Sequence, residues 1–176
     1  MPHKDLIFCD ELETPIGDIT VIFKDYKLVK IAFGKMDDTL PSITNWCKKH
    51  TLATDIQKSD AYEIKQQLID YFNGAITRFD LALDLCGTPF QKKVWKVLEN
   101  HVNYGMTWSY KQVAEKLGAP NAVRAVGGAV NKNPIPIIIP CHRIIGSNGA
   151  LVGYAGGLDK KKSLLEIEKT AISFAK

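Results

Sequence analysis

The chain has 176 residues, 45% of them hydrophobic and 24% charged, which is typical of a globular protein with one large or two small domains. No apolar run approaches the ~20 residues of a membrane helix, and the N-terminus lacks the basic start and cleavage site of a secretory signal, so we expect a cytoplasmic protein with no membrane partner. Residues 1–87 carry 10 basic and 14 acidic side chains, net −4, whereas residues 88–176 carry 13 and 5, net +8. A polyanion is the expected partner of the second half, unless its basic side chains only face solvent.

The first half predicts a small α+β domain. Apolar and polar residues alternate over residues 5–34, with two short turns, which predicts three antiparallel strands. Ser59 is a candidate N-cap for a helix over residues 60–74. The alternation in "RFDLALDL", residues 78–85, predicts one more strand. This half contains no chemical motif.

Four cysteines are scattered along the chain without paired spacing, which suggests neither a disulfide framework nor a zinc ribbon: Cys9, Cys47, Cys86 and Cys141. In "CKKH", Cys47 and His50 have a spacing that could supply two metal ligands, with the others coming from Cys9, His3 or Cys86. A helix with a half-buried cysteine and an exposed histidine explains the pattern more simply. We therefore predict free thiols and no metal.

The second half begins with helical signals. Thr88 is a candidate N-cap followed by Pro89, and the next turns carry an apolar face of Phe90, Val94, Val97 and Leu98, with Trp95 at its edge. Ser109 caps a second helix that Gly118 ends, and "AVRAVGGAVNKN", residues 122–133, predicts a third. Two short helices joined by a turn of three to four residues predict a helix-turn-helix whose second helix is the reader.

A short β run, "IPIII", follows at residues 135–139, and Cys141 and His142 lie at its exit. The Asn148-Gly149 pair then predicts a hairpin, which after a helix-turn-helix would form a wing. A last amphipathic helix is predicted over residues 158–171.

Cys141 and His142 are the candidates for chemistry. A thiol reacts as thiolate, and a neighbouring base raises that fraction. On an extended strand the two side chains would point to opposite faces, so a bridging water or a sharp bend would have to connect them. A catalytic histidine usually needs an acid on its other nitrogen, and Glu166 and Glu168 are candidates. A core cysteine beside a surface histidine is the alternative.

The segment "IPCHRIIGSNGALVGYAGG" closely resembles the Pro-Cys-His-Arg signature of the O6-alkylguanine-DNA alkyltransferases. The resemblance extends to "GTPFQKKVWKVL", "SYKQVAEKLG", "RAVGGAVNKNPIPIIIP" and "GGLDKKKSLLEIE", and covers residues 87–168 nearly without gaps. The first half resembles the family's variable N-terminal domain in length and strand pattern. The resemblance implies a ribonuclease-H-like α+β support domain over residues 1–86, with an antiparallel sheet, and a winged helix-turn-helix-like domain over residues 87–176.

The same resemblance implies a set of catalytic roles. Cys141 would accept the alkyl group, His142 would be joined to it through water, and Glu168 would hold His142. Asn133 would brace the turn around the site. Tyr110 would crowd the phosphate of the flipped nucleotide and donate a proton toward guanine N3.

DNA contacts and a base pocket are implied in the same way. Arg124 would fill the gap left by the flipped nucleotide, and small residues beside it would allow close approach to the minor groove. The implied DNA-binding set is Arg124, Ala125, Gly127, Gly128, Tyr110 and Arg143. The implied substrate pocket comprises Pro136, Ile144, Tyr154, Ala155 and Lys161, with carbonyls of Cys141 and Ile144 accepting the guanine amino group and the Ala155 N–H directed toward O6.

The implied function is DNA repair by irreversible, single-turnover transfer of an alkyl group from O6-alkylguanine, and from O4-alkylthymine, in double-stranded DNA. The resemblance implies no cofactor, no metal and a monomer, and leaves cooperative binding to DNA open. Three other functions fit parts of the pattern. An alkyltransferase-like sensor would bind the lesion only, but that class replaces the acceptor cysteine. A winged-helix transcription regulator would not need the Cys-His pair, and a cysteine hydrolase would need an oxyanion hole that the sequence does not suggest.

Overall fold

The computed structural model describes residues 6–175 and has the predicted mixed α+β class. The chain divides between Cys86 and Gly87 into two compact units, which we describe separately. No helix within the described range is both long and apolar enough to cross a membrane.

The first unit is built on a four-stranded sheet. Strands β1 (Ile7–Thr14), β2 (Gly17–Lys24) and β3 (Lys27–Phe33) form the predicted antiparallel meander. Helix α1 (Met36–Lys49) then leads to β4 (Ile56–Lys58), which pairs in parallel with β1, giving the order β3-β2-β1-β4. The predicted antiparallel sheet is thus extended by one parallel strand, because a helical crossover returns the chain to the β1 edge in the same direction.

Two predictions for this unit, the cap of α2 and a strand over residues 78–85, were wrong. Helix α2 (Tyr62–Phe72) begins after Ala61, and Ser59 does not cap it. The Asp10 carboxylate, on β1, accepts the Ala61 N–H at 2.9 Å instead. The segment over residues 78–85 forms only an isolated bridge, Leu28 to Leu83, in place of a full strand.

The second unit contains the helices that the sequence predicts. They are α3 (Pro89–His101), α4 (Tyr110–Lys116), α5 (Val123–Asn131) and the long α6 (Leu158–Ala175). Two short strands, β5 (Trp108–Ser109) and β6 (Ile144–Ile145), pair in parallel.

Capping residues fix where α3 and α4 start. The side chains of Thr88 and Ser109 each accept the backbone N–H of a glutamine three residues later, and each glutamine side chain accepts the cap N–H in return. Such reciprocal boxes satisfy two of the donors that a helix start leaves unpaired. Gly118 follows α4 with φ +73°, a conformation that glycine adopts without strain.

Trp95 lies in the core of this unit. Its ring is 1% exposed and its Nε1–H donates to the Ala129 carbonyl at 2.8 Å, which joins α3 to α5. The prediction that Trp95 lies at the edge of the apolar face was therefore wrong.

The predicted β run before the cysteine is a buried turn. The Ile139 N–H donates to the Ile135 carbonyl at 3.0 Å, and Ile137 has φ +75°. Positive φ is rare for a β-branched residue, so the turn is strained. Pro134 and Pro136 remove two backbone donors that a strand would use.

The predicted hairpin is a turn without two paired strands. The Gly146 N–H donates to the Ala150 carbonyl at 2.9 Å and closes a tight turn, but the chain over residues 151–157 forms no strand. The wing is a loop.

Candidate active site

Cys141 and His142 lie on a single 3-10 turn, Cys141–Arg143, between the strained turn and β6. Both side chains are buried, with 5% and 0% of their surface exposed. The turn supplies the sharp bend that a strand would not, because successive residues of a 3-10 turn do not alternate between two faces.

His142 contacts a carboxylate across the unit. Its Nε2 lies 2.6 Å from Oε2 of Glu168, which is 1% exposed on α6. This hydrogen bond places the proton on Nε2 and leaves a lone pair on Nδ1. Nδ1 is buried and has no hydrogen-bond partner among the described residues.

Arg143 binds the same carboxylate, and its placement in the DNA-binding set was wrong. Its Nε and Nη2 donate to the two Glu168 oxygens at 2.8 and 3.1 Å, and Nη1 donates to the Val102 carbonyl at 2.7 Å. The side chain is buried, with its guanidinium 5.7 Å from the centre of the Tyr104 ring. A forked ion pair buried in this way keeps the guanidinium away from a phosphate at the surface.

The charges around His142 keep it neutral. Burial lowers the pKa of the imidazole, and although Glu168 opposes this effect, the positive charges of Arg143 and Lys161 add to it. Burial alone would raise the pKa of Glu168, but the hydrogen bond from His142 and the ion pair with Arg143 lower it below its ordinary value. The site therefore contains an ionised carboxylate and a neutral imidazole, which can accept a proton.

The Cys141 thiol is protonated in the resting site. Burial raises its pKa to about 11, while the Asn133 side chain, the charge of Lys161 and nearby backbone N–H groups act in the opposite direction. Asn133 is fixed in place, since its Nδ2 donates to the Ile139 carbonyl at 2.8 Å and its Oδ1 accepts the Ile135 N–H at 3.0 Å. The residues that stabilise a thiolate are thus present, but a proton acceptor is needed to form it.

Lys161 ties the loop after β6 to α6. Its ammonium is fully buried and donates to the carbonyls of Ile144, Val152 and Gly153 at 2.5, 2.9 and 3.3 Å. The Tyr110 hydroxyl donates to the same Val152 carbonyl at 3.0 Å. Burial raises the pKa of Tyr110, and ionisation of Cys141 would raise it further, so the hydroxyl remains a donor at neutral pH.

The other predicted pocket residues lie close to Cys141 in the sequence but differ in exposure. Pro136 and Ile144 are buried, Tyr154 is half-buried, and Ala155 is exposed on the loop. Burial and the charge of Glu168 raise the pKa of Tyr154, which keeps its hydroxyl protonated, and ionisation of Cys141 would raise that pKa further.

Helix α5 presents an outward face of small and basic residues. Arg124, Ala125 and Gly128 are exposed, and a Cβ added at Gly128 would meet no atom within 4 Å. Gly127 lies on a different side of α5, which faces Tyr110, because a Cβ added there would lie 3.9 Å from the Tyr110 ring. The predicted DNA-binding residues of α5 therefore divide between an outer surface and an inner cleft.

The inner cleft contains residues that the sequence analysis missed. It is a cavity of about 360 Å³, lined by Tyr110, Val123, Gly127, Asn131, Val152 and Gly153. Val123, Gly127 and Asn131 are spaced by four, so the helical period alone would have placed them on the face of Gly127.

The described part of the chain contains no group of three or more side chains arranged to hold a metal ion. Cys9 and Cys47 are free and buried, and Cys86 is half-buried. His3, a candidate ligand in the sequence, lies outside the described residues.

Two family profiles together match nearly the whole chain. Residues 7–85 match the 6-O-methylguanine DNA methyltransferase ribonuclease-like domain, and residues 89–170 match the 6-O-methylguanine DNA methyltransferase DNA binding domain.

Individual proteins are similar over the same range. A methylated-DNA–protein-cysteine methyltransferase of Mycobacterium bovis is 55% identical over 160 residues, which cover 90% of each chain. The constitutive enzyme of that name in Bacillus subtilis is 41% identical, covering 89% of this chain and 92% of its own. The crystal structure of Mycobacterium tuberculosis OGT in complex with DNA superposes with a TM-score of 0.80 at 38% identity, covering 93% and 94%.

Proposed function

Because the chain belongs to the 6-O-methylguanine DNA methyltransferase family and repairs DNA by transferring an alkyl group to a cysteine of its own, we propose that Cys141 is that cysteine. The observation that carries the proposal is the buried cluster around it. Cys141 is adjacent to a neutral His142, and Glu168 holds the imidazole by a 2.6 Å hydrogen bond. The other cysteines of the chain, Cys9, Cys47 and Cys86, lie in the first unit.

Proton transfer from the thiol precedes or accompanies attack. The unpartnered Nδ1 of His142 is the acceptor, and we place one bridging water between it and the Cys141 sulfur. Glu168 then stabilises the imidazolium that forms, in the manner of a catalytic triad. Asn133 and Lys161 stabilise the thiolate.

The thiolate attacks the alkyl carbon in line with the bond to O6. A sulfur–carbon bond forms, the carbon–oxygen bond breaks with its electron pair going to guanine, and the thioether remains on Cys141. The developing negative charge on guanine needs donors, and the Tyr110 hydroxyl and the Ala155 N–H are placed in that role. Guanine takes up a proton from Tyr110, Tyr110 regains one from solvent, and the proton held by His142 returns to solvent, so that no net proton is gained or lost. The step uses up the acceptor, so each molecule acts once.

Double-stranded DNA carrying O6-alkylguanine is the substrate, and its base must leave the stack to reach a buried thiol. We propose that α5 enters the minor groove through Arg124, Ala125 and Gly128, with Arg124 filling the space that the base vacates. The exposed face of small side chains supports close approach without reading of base edges. Low sequence selectivity suits a protein that must find damage anywhere.

Other features of the function follow from the same proposal. O4-alkylthymine presents the same oxygen–carbon bond and is proposed as a second substrate. We propose that the protein acts in the cytoplasm, because a free thiol that must remain reduced needs a reducing compartment. We also propose that it acts as a monomer. A lesion sensor and a transcription regulator would leave the Cys141–His142 pair without a use. A cysteine hydrolase would use both side chains, but it would need an oxyanion hole and would turn over many times.

Intact-protein mass spectrometry tests the assignment. After incubation with a duplex containing one O6-methylguanine, the wild-type protein should gain the mass of one methyl group in place of one hydrogen, at one equivalent. The Cys141→Ser variant should bind the duplex and gain nothing, and a Cys86→Ser control should gain the methyl group. Lesion-selective binding without a mass gain would instead identify a sensor.

A further inference from the structure

We propose that Asn131 is a specificity-determining residue that hydrogen-bonds, through its side-chain amide, to the sugar-phosphate of the nucleotide that has left the duplex. This inference rests on the proposed function, because it assumes that a flipped nucleotide enters the unit beside Tyr110. Nothing in the sequence motif singles out Asn131, which is the last residue of α5.

The position of the amide supports this role. Asn131 lines the 360 Å³ cleft on the same helical stripe as Gly127, and Tyr110 lines the opposite wall. A cleft of about this volume lies at the small end of the range of ligand sites, roughly 300–1,000 Å³. A Cβ added at Gly127 would lie 3.9 Å from the Tyr110 ring, so α5 and the ring are close together there, and a nucleotide would have to lie along the open side of the cleft that Asn131 lines.

The Asn131 amide is also available for binding. It makes no hydrogen bond to any residue in the described part of the chain, and Asn131 is exposed. Its contact is with Gly153, where an added Cβ would lie 3.2 Å from Oδ1 and 3.4 Å from Nδ2. Gly153 itself is held by the Lys161 ammonium at 3.3 Å, so the wall on which the amide rests is anchored.

The chemistry inside the site indicates which part of the nucleotide the amide meets. Under the proposed function the base reaches Cys141, which is 5% exposed, whereas Asn131 is exposed. The part of the nucleotide left at the mouth is its sugar and phosphate, which carry acceptor oxygens. The Nδ2 group of Asn131 is a neutral donor at that mouth.

The salt dependence of DNA binding distinguishes a neutral hydrogen-bond donor from a cation. Removing a cation that contacts a phosphate lowers the salt dependence of binding, because fewer counterions are released, whereas removing a neutral donor leaves the slope unchanged. An isosteric carboxylate in place of the amide removes the donors and repels phosphate, yet keeps the packing on Gly153.

The experiment compares two substrates for Asn131→Asp and Asn131→Ala in the full chain. Single-turnover methyl transfer is measured on a duplex with one O6-methylguanine and on the free base O6-methylguanine, which has neither sugar nor phosphate. We expect Asn131→Ala to lose about two- to tenfold in transfer efficiency on the duplex, with an unchanged salt slope, and Asn131→Asp to lose more. Both variants should react with the free base at the wild-type rate.

The matched control is Asn73→Asp, which adds the same charge at the C-cap of α2 in the first unit. It should leave both rates unchanged. Wild-type rates on the duplex for both Asn131 variants would overturn the inference, and so would a parallel loss on the free base, which would mean that Asn131 acts through the pocket. Failure of the wild-type protein to react with either substrate would overturn the proposed function instead.

Discussion

Tyr110 and Lys161 share one acceptor, since the Val152 carbonyl accepts the Tyr110 hydroxyl at 3.0 Å and the Lys161 ammonium at 2.9 Å. Because the oxygen is shared, the Tyr110 hydroxyl can change its hydrogen-bond acceptor. If the hydroxyl turns to donate to guanine N3, the Val152 carbonyl keeps the bond from Lys161 and is not left unsatisfied. Tyr110 can therefore exchange partners without leaving a buried polar group unpaired.

We expect Tyr110→Phe to slow methyl transfer by roughly 10²-fold or more, because a positioned proton donor contributes about 10²–10⁴-fold. Stability should fall by no more than about 1 kcal/mol, since one exposed hydrogen bond is lost and its acceptor retains Lys161. Single-turnover kinetics and thermal unfolding of the same preparation separate the two effects. A wild-type transfer rate in the variant would show that Tyr110 is not the donor.

The ion pair between Arg143 and Glu168 makes a prediction about stability. Glu168→Gln leaves the Arg143 guanidinium buried without a counter-charge, so we expect a loss of about 3–5 kcal/mol in the free energy of unfolding at neutral pH. Chemical denaturation of the two proteins measures this difference. A loss below about 1 kcal/mol would mean that the pair is not desolvated.

The same pair gives a pH dependence with a definite sign. Because His142 and Arg143 lower the pKa of Glu168 below its ordinary value of 4.5, its contribution is complete above that pH and is lost as the pH falls further. The stability difference between wild type and Glu168→Gln should therefore shrink below about pH 4.5. A difference that stays constant down to pH 3 would contradict the assigned charge state.

Local signals in the sequence predicted much of the second unit, and long-range contacts account for what they missed. Thr88 and Ser109 identify the starts of α3 and α4 because a capping box is complete within four residues. The buried ion pair of Arg143 joins residues 25 positions apart, and no local pattern distinguishes it from a phosphate-binding arginine.

The prediction of a β strand in the apolar run before Cys141 was wrong for a different reason. A short stretch of isoleucines fits a buried strand and a buried turn equally well, and periodicity cannot separate them. The prolines around Ile137 were the available warning, because each one removes a ladder donor. In the first unit, the helix predicted around Cys47 proved to be the end of the longer α1, and β4 was not predicted, because its direction depends on a crossover that strand patterns do not encode.

The outward face of α5 makes a prediction about access to DNA. At Gly128 an added Cβ would meet no protein atom within 4 Å, the residue is exposed, and leucine is a better helix former than glycine by up to about 1 kcal/mol. Gly128→Leu should therefore leave the fold as stable as wild type or more stable, while weakening duplex binding because the helix cannot approach the groove.

Fluorescence anisotropy with an unmodified duplex measures the binding loss for Gly128→Leu. The control is Gln66→Leu, which adds a leucine at an exposed site of α2 in the first unit and should bind DNA normally. Equal affinities for the two variants would place the DNA elsewhere on the second unit.

Alkylation should destabilise the protein. Cys141 is 5% exposed, and an added methyl group must fit beside the Asn133 side chain and the strained turn at Ile137. Extra methyl groups in a packed site typically cost about 1–3 kcal/mol. The methylated protein should therefore melt at a lower temperature than the free protein, and the Cys141→Ser variant, incubated with the same duplex and separated from it, should show no such change. Equal melting temperatures for the methylated and free forms would mean that the site has room for the product.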